Sequence, residues 1–302
     1  MPVSTDRYEV LRTRLKRLTR MLHGVEKGEV PALHGARVAS RRLREALPVL
    51  RLDGSVVAKL MRRLRKVTRR LGATRELDAL IVLVDDLRAS GRHEGRSLAR
   101  VAAVIRPERA RAHARLLAKR PTVELHRVAA KLERVARRLK AARKDGGRDT
   151  RDARSSRWAV DARVARRAAA LTDAMREAGA VYVPERLHLV RIALKKLRYA
   201  LELKADMAGG QAETPRLRSL QRSQELLGRL HDLQLLIDRV RQVQASSPSP
   251  DLTAWRDLDV LVTTLEDDGR RLHARYMRQR SALETMCERV GVRTEAAIRR
   301  AG

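Results

Sequence analysis

Apolar residues recur along almost the whole chain at three- and four-residue spacing. Between residues 8 and 25, Val10, Leu11, Leu15, Leu18, Leu22 and Val25 fall on one side, with Arg12, Arg14, Lys16 and Arg20 mostly off it. That is the pattern of an amphipathic helix. No stretch sustains the alternation of apolar and polar residues that a half-buried strand needs, so the pattern predicts an all-α protein. Periodic segments place helices near 6–26, 31–51, 55–71, 75–90, 95–119 and 122–143, then near 155–178, 184–207, 215–228, 230–245, 251–268 and 270–290. A short terminal helix follows Val292. Pro31, Pro107, Pro121, Pro184, Pro215, Pro248 and Pro250 each stand where a helix can begin or a loop can run. Pro48 lies inside an apolar-periodic run and is expected to kink or end its helix. Trp158 and Trp255 are read as core anchors. Cys287, near Leu283 and Val290, is read as packing rather than as a nucleophile.

A polar, Gly-containing segment at 145–154 links two halves, 1–144 and 155–302, of one domain covering 1–302. The halves resemble each other. His34-Gly-Ala-Arg37-Val-Ala-Ser-Arg41-Arg42-Leu43-Arg44 reads against His188-Leu-Val-Arg191-Ile-Ala-Leu-Lys195-Lys196-Leu197-Arg198 at a constant offset of 154 (188 − 34). Leu71-Gly72-Ala-Thr-Arg75-Glu76-Leu77 reads against Leu227-Gly228-Arg-Leu-His231-Asp232-Leu233 at an offset of 156 (227 − 71). Self-similarity of this kind marks a duplicated unit. On a helix, at about 100° per residue, His34, Arg37, Arg41 and Arg44 share one stripe and Ala36, Ala39, Leu43 and Leu47 lie opposite. Arg42 sits between the two. His188, Arg191, Lys195 and Arg198 repeat the stripe, roughly 15 Å long at 1.5 Å per residue. Like charges at this spacing repel on an isolated helix. Two such stripes in register point to an anion with regularly spaced charges.

Composition sharpens that reading. Lys and Arg number 68 against 36 Asp and Glu, a net charge of +32, so the partner is a polyanion. The charge is uneven: residues 1–154 carry 41 basic and 17 acidic residues (+24), leaving +8 for residues 155–302. Two Trp, four Tyr and no Phe leave little for stacking nucleic-acid bases. A single Cys excludes an intramolecular disulfide and fits a reduced, cytosolic setting. The longest apolar run, Ala79 to Val84, is too short to span a bilayer, and the first residues read as no secretory signal.

On the two His-headed basic helices and the two Leu-Gly segments, the chain resembles the CHAD family, the conserved-histidine α-helical domain. The resemblance implies two four-helix-bundle-like halves about a pseudo-two-fold axis, with a basic central cavity that binds inorganic polyphosphate. It also implies association with polyphosphate granules in the cytoplasm. Carried onto matching positions, the binding residues would be His34, Arg37, Arg41, Arg42, Arg44, His188, Arg191, Lys195, Lys196, Arg198 and Tyr199. Arg75 and His231 join them from the second motif. Protonation of the histidines near phosphate should raise affinity as pH falls through their range.

Other classes fit less well. Non-specific nucleic-acid binding is the alternative: the charge allows it at low salt, but no groove-reading motif is present. A kinase or phosphatase would need a Gly-rich phosphate loop or clustered carboxylates for Mg²⁺, and the one acidic run, Glu266-Asp267-Asp268, reads as a helix end or solvated face. The chain has no Glu-x-Glu-x-Lys strand signature of the triphosphate-tunnel domain often fused to the family. It is therefore expected to bind without catalysing. No His-x-x-x-His motif marks a metal site, no cofactor is implied, and the apolar faces are committed to the bundle rather than to lipid.

Overall fold

A computed structural model describes residues 6–72, 74–145, 150–209, 215–246 and 252–299. The helices are α1 (Arg7–Thr19), α2 (Leu22–Glu26), α3 (Val30–Ala46), α4 (Gly54–Arg70), α5 (Arg75–Ser90), α6 (Gly95–Ala118), α7 (Pro121–Asp145), α8 (Thr150–Ala178), α9 (Pro184–Met207), α10 (Pro215–Ala245) and α11 (Leu252–Arg299). No strand occurs among the described residues. The helix ends have local causes. Asp6 and Asp53 cap α1 and α4 by accepting from the Glu9 and Val56 backbone N–H, each at 3.0 Å. Pro31 and Pro184 occupy the first turns of α3 and α9. Pro48 ends α3, and the chain leaves it through a tight 3-10 turn at Leu47–Val49.

Several expectations are corrected. The stretch read as one helix over 6–26 is broken between Thr19 and Leu22. Pro107 lies inside α6 rather than at a joint. Leu98, Val101 and Ile105 before it and Leu116 after it are all buried, so packing holds both parts of that helix in line. The breaks expected near 229 and 269 are absent: α10 and α11 run through Gly228 and Gly269. A helical glycine costs only about 1 kcal/mol, too little to interrupt a helix packed along its length. The terminal segment after Val292 continues α11. Positions 146–149 of the linker and 247–250 of the loop before α11 lie outside the described residues. Thr150 already belongs to α8.

Trp158 and Trp255 are each 50% exposed and anchor no core. The interior is aliphatic, with Tyr276 fully buried and Cys287 packed beside Leu283 and Val290. Arg14, placed by periodicity off the apolar side of α1, is 1% exposed. Its Nη2 donates to Asp206 Oδ2 on α9 at 2.6 Å. Periodicity could not see that partner, which lies 192 residues away.

The larger apolar cluster joins α1, α3, α4, α7, α8 and α9 to the first part of α10 and the last part of α11. The smaller is built by Leu80, Leu83, Val84 and Leu87 of α5, Leu98, Val101 and Ile105 of α6, Leu233, Leu236, Ile237 and Val240 of α10, and Leu258, Leu261 and Leu265 of α11. Helices α5 and α6 are therefore covered by the far ends of α10 and α11, so each half of the sequence completes the other's core. Helices α3 and α9, the two basic helices, meet directly. No described helix is long and apolar enough to cross a membrane.

Candidate anion-binding site

The α3–α9 contact decides where the two basic stripes go. Their apolar sides are consumed by the core: Ala36, Ala39 and Leu43 on α3, and Val190, Ala193, Leu194 and Leu197 on α9. His34, Arg37 and Arg41 of α3 then face the same space as His188, Arg191 and Lys195 of α9. Arg75, the first residue of α5, and His231 of α10 complete the group. The N-terminal end of α5 adds its own partial positive charge there.

The electrostatics report this convergence. Burial first, then Arg41, Arg75 and Arg191, hold the Arg37 guanidinium down to about 10. Burial, Arg191, Arg41 and Arg75 bring Lys195 down to about 7. His231 is pushed down to about 4 by burial and by Arg191, His188, Lys195 and Arg75. His34 is lowered by burial and by Arg75, Arg37, Arg41 and Lys195. His188 is lowered by burial, Arg191 and Lys195, with Glu76 opposing. Every one of these groups resists its charge first because it is buried and then because the others are charged nearby.

Little within the protein neutralises the cluster. Asp232 acts on Arg191 and Lys195 through space. Asp78 is taken by Arg109, whose Nε donates to it at 2.8 Å. None of His34, Arg37, Arg41, Arg75, Arg191 and Lys195 makes an ion pair with a described carboxylate. Arg191 Nε and His188 Nδ1 are buried with no hydrogen-bond partner among the described residues. An anion entering here would meet unpaired donors and relieve the repulsion at once.

The histidines of the second half form a pair. The His188 and His231 rings lie 4.5 Å apart, inclined at 43°. Together with Tyr182, Leu187, Leu227 and Gln234 they line a hollow between α9 and α10. Tyr182 donates its hydroxyl to Gln234 Oε1 at 3.2 Å. Neither residue carried a sequence signal, because they lie outside the repeated motifs.

The remaining candidates lie elsewhere. Arg42 is engaged by Glu202, with Nε donating at 2.8 Å and Nη2 at 3.1 Å. Tyr199 is 6% exposed, with the Arg42 and Arg198 guanidinium groups 5.8 and 5.3 Å from its ring centre. Arg198 Nε also approaches Glu202 at 3.7 Å. Arg42, Tyr199, Arg198 and Glu202 tie α3 to α9, with Glu202 hydrogen-bonded to Arg42 and in an ion pair with Arg198. Lys196 is exposed to solvent, one position round the helix from Lys195. Arg44 continues the α3 stripe beyond Arg41, beside Arg65 and Arg167.

Glycine in the repeated Leu-Gly pair has a steric reason. Arg37 Nη1 crosses Gly72 so closely that a Cβ there would collide with it. In the second half, Arg191 Nε and Nη2 each pass 3.9 Å from a Cβ position on Gly228. Both the glycine and the arginine were visible in the sequence; that the one makes room for the other was not. Among the described residues no group of three or more His, Cys, Asp or Glu is placed to hold a metal ion.

Comparison with known proteins agrees with this architecture. The CHAD domain family model matches residues 9–241. Two solved structures share the fold. PptA from Streptomyces chartreusis superposes with a TM-score of 0.64 at 19% identity, covering 92% of this chain and 100% of its own. The CHAD domain from the plant Ricinus communis gives 0.57 at 21% identity, covering 92% and 93%. No curated protein matches the chain. With a family match over most of its length, and an all-helical fold shared with a solved member, the chain belongs to the CHAD domain family.

Proposed function

We propose that the protein binds inorganic polyphosphate at the convergent cluster, without turning it over, and acts at polyphosphate granules in the cytoplasm. The observation that carries this reading is the meeting of His34, Arg37, Arg41 and Arg75 with His188, Arg191, Lys195 and His231, against which Asp232 and Glu76 act only through space. Guanidinium groups give paired, charge-assisted hydrogen bonds to phosphate oxygens, and Lys adds a compact charge. Polyphosphate presents a negative charge on every unit of a flexible chain. It can bend to reach recessed cations that a stiff duplex would pass over. Binding of this type releases counter-ions and weakens steeply with salt.

Non-specific nucleic-acid binding is the competing reading, supported by the net charge of +32. Competition separates the two. Immobilised medium-chain polyphosphate is challenged with duplex DNA and single-stranded RNA at matched phosphate concentration and physiological salt. Wild type should prefer polyphosphate by at least about tenfold, which is 1.4 kcal/mol. The Arg37→Ala/Arg191→Ala variant should lose that margin. Equal competition by DNA or RNA, with the variant behaving as wild type, would reduce the cluster to part of a diffuse basic surface.

A further inference from the structure

The α3 stripe does not stop at the central cluster. One turn beyond Arg41, Arg44 lies at the junction of α3, α4 and α8. Burial and then Arg65 of α4 and Arg41 lower its ionisation, Glu45 opposes them, and Arg167 of α8 adds to the lowering. Arg44 Nε is buried with no hydrogen-bond partner among the described residues, and so is Arg167 Nε. Among the described residues one carboxylate is paired at this corner: Glu45, which accepts from Arg163 Nε at 2.6 Å and from Arg167 Nη2 at 2.9 Å. Four guanidinium groups (Arg44, Arg65, Arg163 and Arg167) thus share a single negative charge. Glu45 accepts from Arg163 and Arg167 and reaches Arg44 only through space, so Arg44 and the exposed Arg65 form no ion pair with a described carboxylate.

Arg41 connects the two places, since it acts on Arg37, Arg191 and Lys195 at the centre and on Arg44 at this corner. From His34 to Arg44 the stripe spans roughly 15 Å at 1.5 Å per residue. A short anion satisfied by the centre would not reach its far end. We propose that Arg44, Arg65 and Arg167 form a second subsite, which holds the phosphates of a long chain as it leaves the central cluster past Arg41. This rests on the reading of the centre as a polyphosphate site and adds a direction of travel to it. It also makes affinity depend on chain length.

The test compares tripolyphosphate with long-chain polyphosphate, measured by calorimetry at one salt concentration. The proteins are wild type, Arg65→Ala, Arg44→Gln and Arg37→Ala, with melting temperatures recorded for each. Arg65 is exposed and pairs with no described carboxylate, so its removal should leave the fold intact. Arg65→Ala and Arg44→Gln should each bind long chains about three- to tenfold more weakly and bind tripolyphosphate within twofold of wild type. Arg37→Ala should weaken both ligands. If the Arg65 and Arg44 variants bind long chains as wild type does, the corner is a solvated rim and the subsite is refuted. If they lose both ligands equally, they act through the centre and the subsite is again refuted. If wild type binds neither ligand, the polyphosphate reading itself falls, a result distinct from the other two.

Discussion

Arg37 lies across Gly72, its Nη1 inside the space a Cβ would occupy, while Arg191 passes Gly228 at 3.9 Å. The two arginines are 154 positions apart and the two glycines 156 (228 − 72), matching the two offsets of the repeat. The nearest obstruction at Gly72 is the flexible end of a long side chain, with the Arg69 carbonyl oxygen 3.1 Å from the same Cβ position. Gly72→Ala should therefore displace Arg37 rather than unfold the protein. Calorimetry should find polyphosphate affinity reduced about as far as by Arg37→Ala, with little change in melting temperature. Gly228→Ala, where the contact is an ordinary one, should bind within twofold of wild type. Equal effects at both glycines would contradict the steric account.

Lys195, held down to about 7, makes binding proton-linked near neutrality. A bound polyanion favours its charged form, so the complex takes up a proton wherever the free protein has lost it. Affinity should fall as pH rises from about 7 towards the ordinary lysine value of 10.5. Lys195→Arg should flatten that fall and bind more tightly than wild type at pH 8.5 (about neutral plus 1.5). Calorimetry in two buffers of different ionisation enthalpy reads the proton uptake directly. A buffer-independent heat at pH 8.5 would refute it, on the order of one proton being expected.

The ligand-free protein should weaken on acidification through the same groups. His231 has its proton affinity lowered from 6.5 to about 4 by folding, so the unfolded chain binds more protons between those values. Stability then rises with pH across that window and is lost as pH falls through it. Thermal melts of wild type and His231→Gln between pH 6.5 and 4 should diverge, the variant losing less. Added tripolyphosphate should restore part of the wild-type loss. Parallel curves would show that His231 carries no such penalty.

Two kinds of arginine should respond differently to removal. Arg14 is buried against Asp206, and Arg42 is paired twice with Glu202. Arg14→Ala leaves a carboxylate short of its partner in the α1–α9 contact and should cost on the order of 3 kcal/mol by denaturant titration. Arg42→Ala, in a more exposed pair, should cost about 1–2 kcal/mol. Both should keep polyphosphate affinity within a few-fold of wild type. A large loss of affinity on Arg42→Ala with unchanged stability would return Arg42 to the binding site.

The all-helical fold was legible in the sequence because burying one face of a helix demands a three-four spacing, as in Val10, Leu11, Leu15 and Leu18. The heart of the candidate site was legible as well, because His34, Arg37 and Arg41 recur in register as His188, Arg191 and Lys195. Helix ends were legible where chemistry enforces them, as at Pro184 and Pro48. They were misread where only propensity was available, as at Pro107, Gly228 and Gly269. Propensity amounts to a kilocalorie or so per residue, and tertiary packing outweighs it.

What the sequence by itself determined is which residues are charged, which share a helix face, and that two faces match. It could not sort the arginines on those faces. Arg37 and Arg42 stand five positions apart on one helix, yet Arg42 finds Glu202, 160 residues away, and Arg37 pairs with no described carboxylate and is crowded by other cations. Arg14 likewise reads as solvent-facing until Asp206 arrives from α9. Whether a charge is balanced depends on what long-range packing brings within a few ångströms, because Coulomb energy varies with separation and burial, not with position along the chain. The tertiary structure alone decided which cations are spent on holding the helices together and which remain for a ligand.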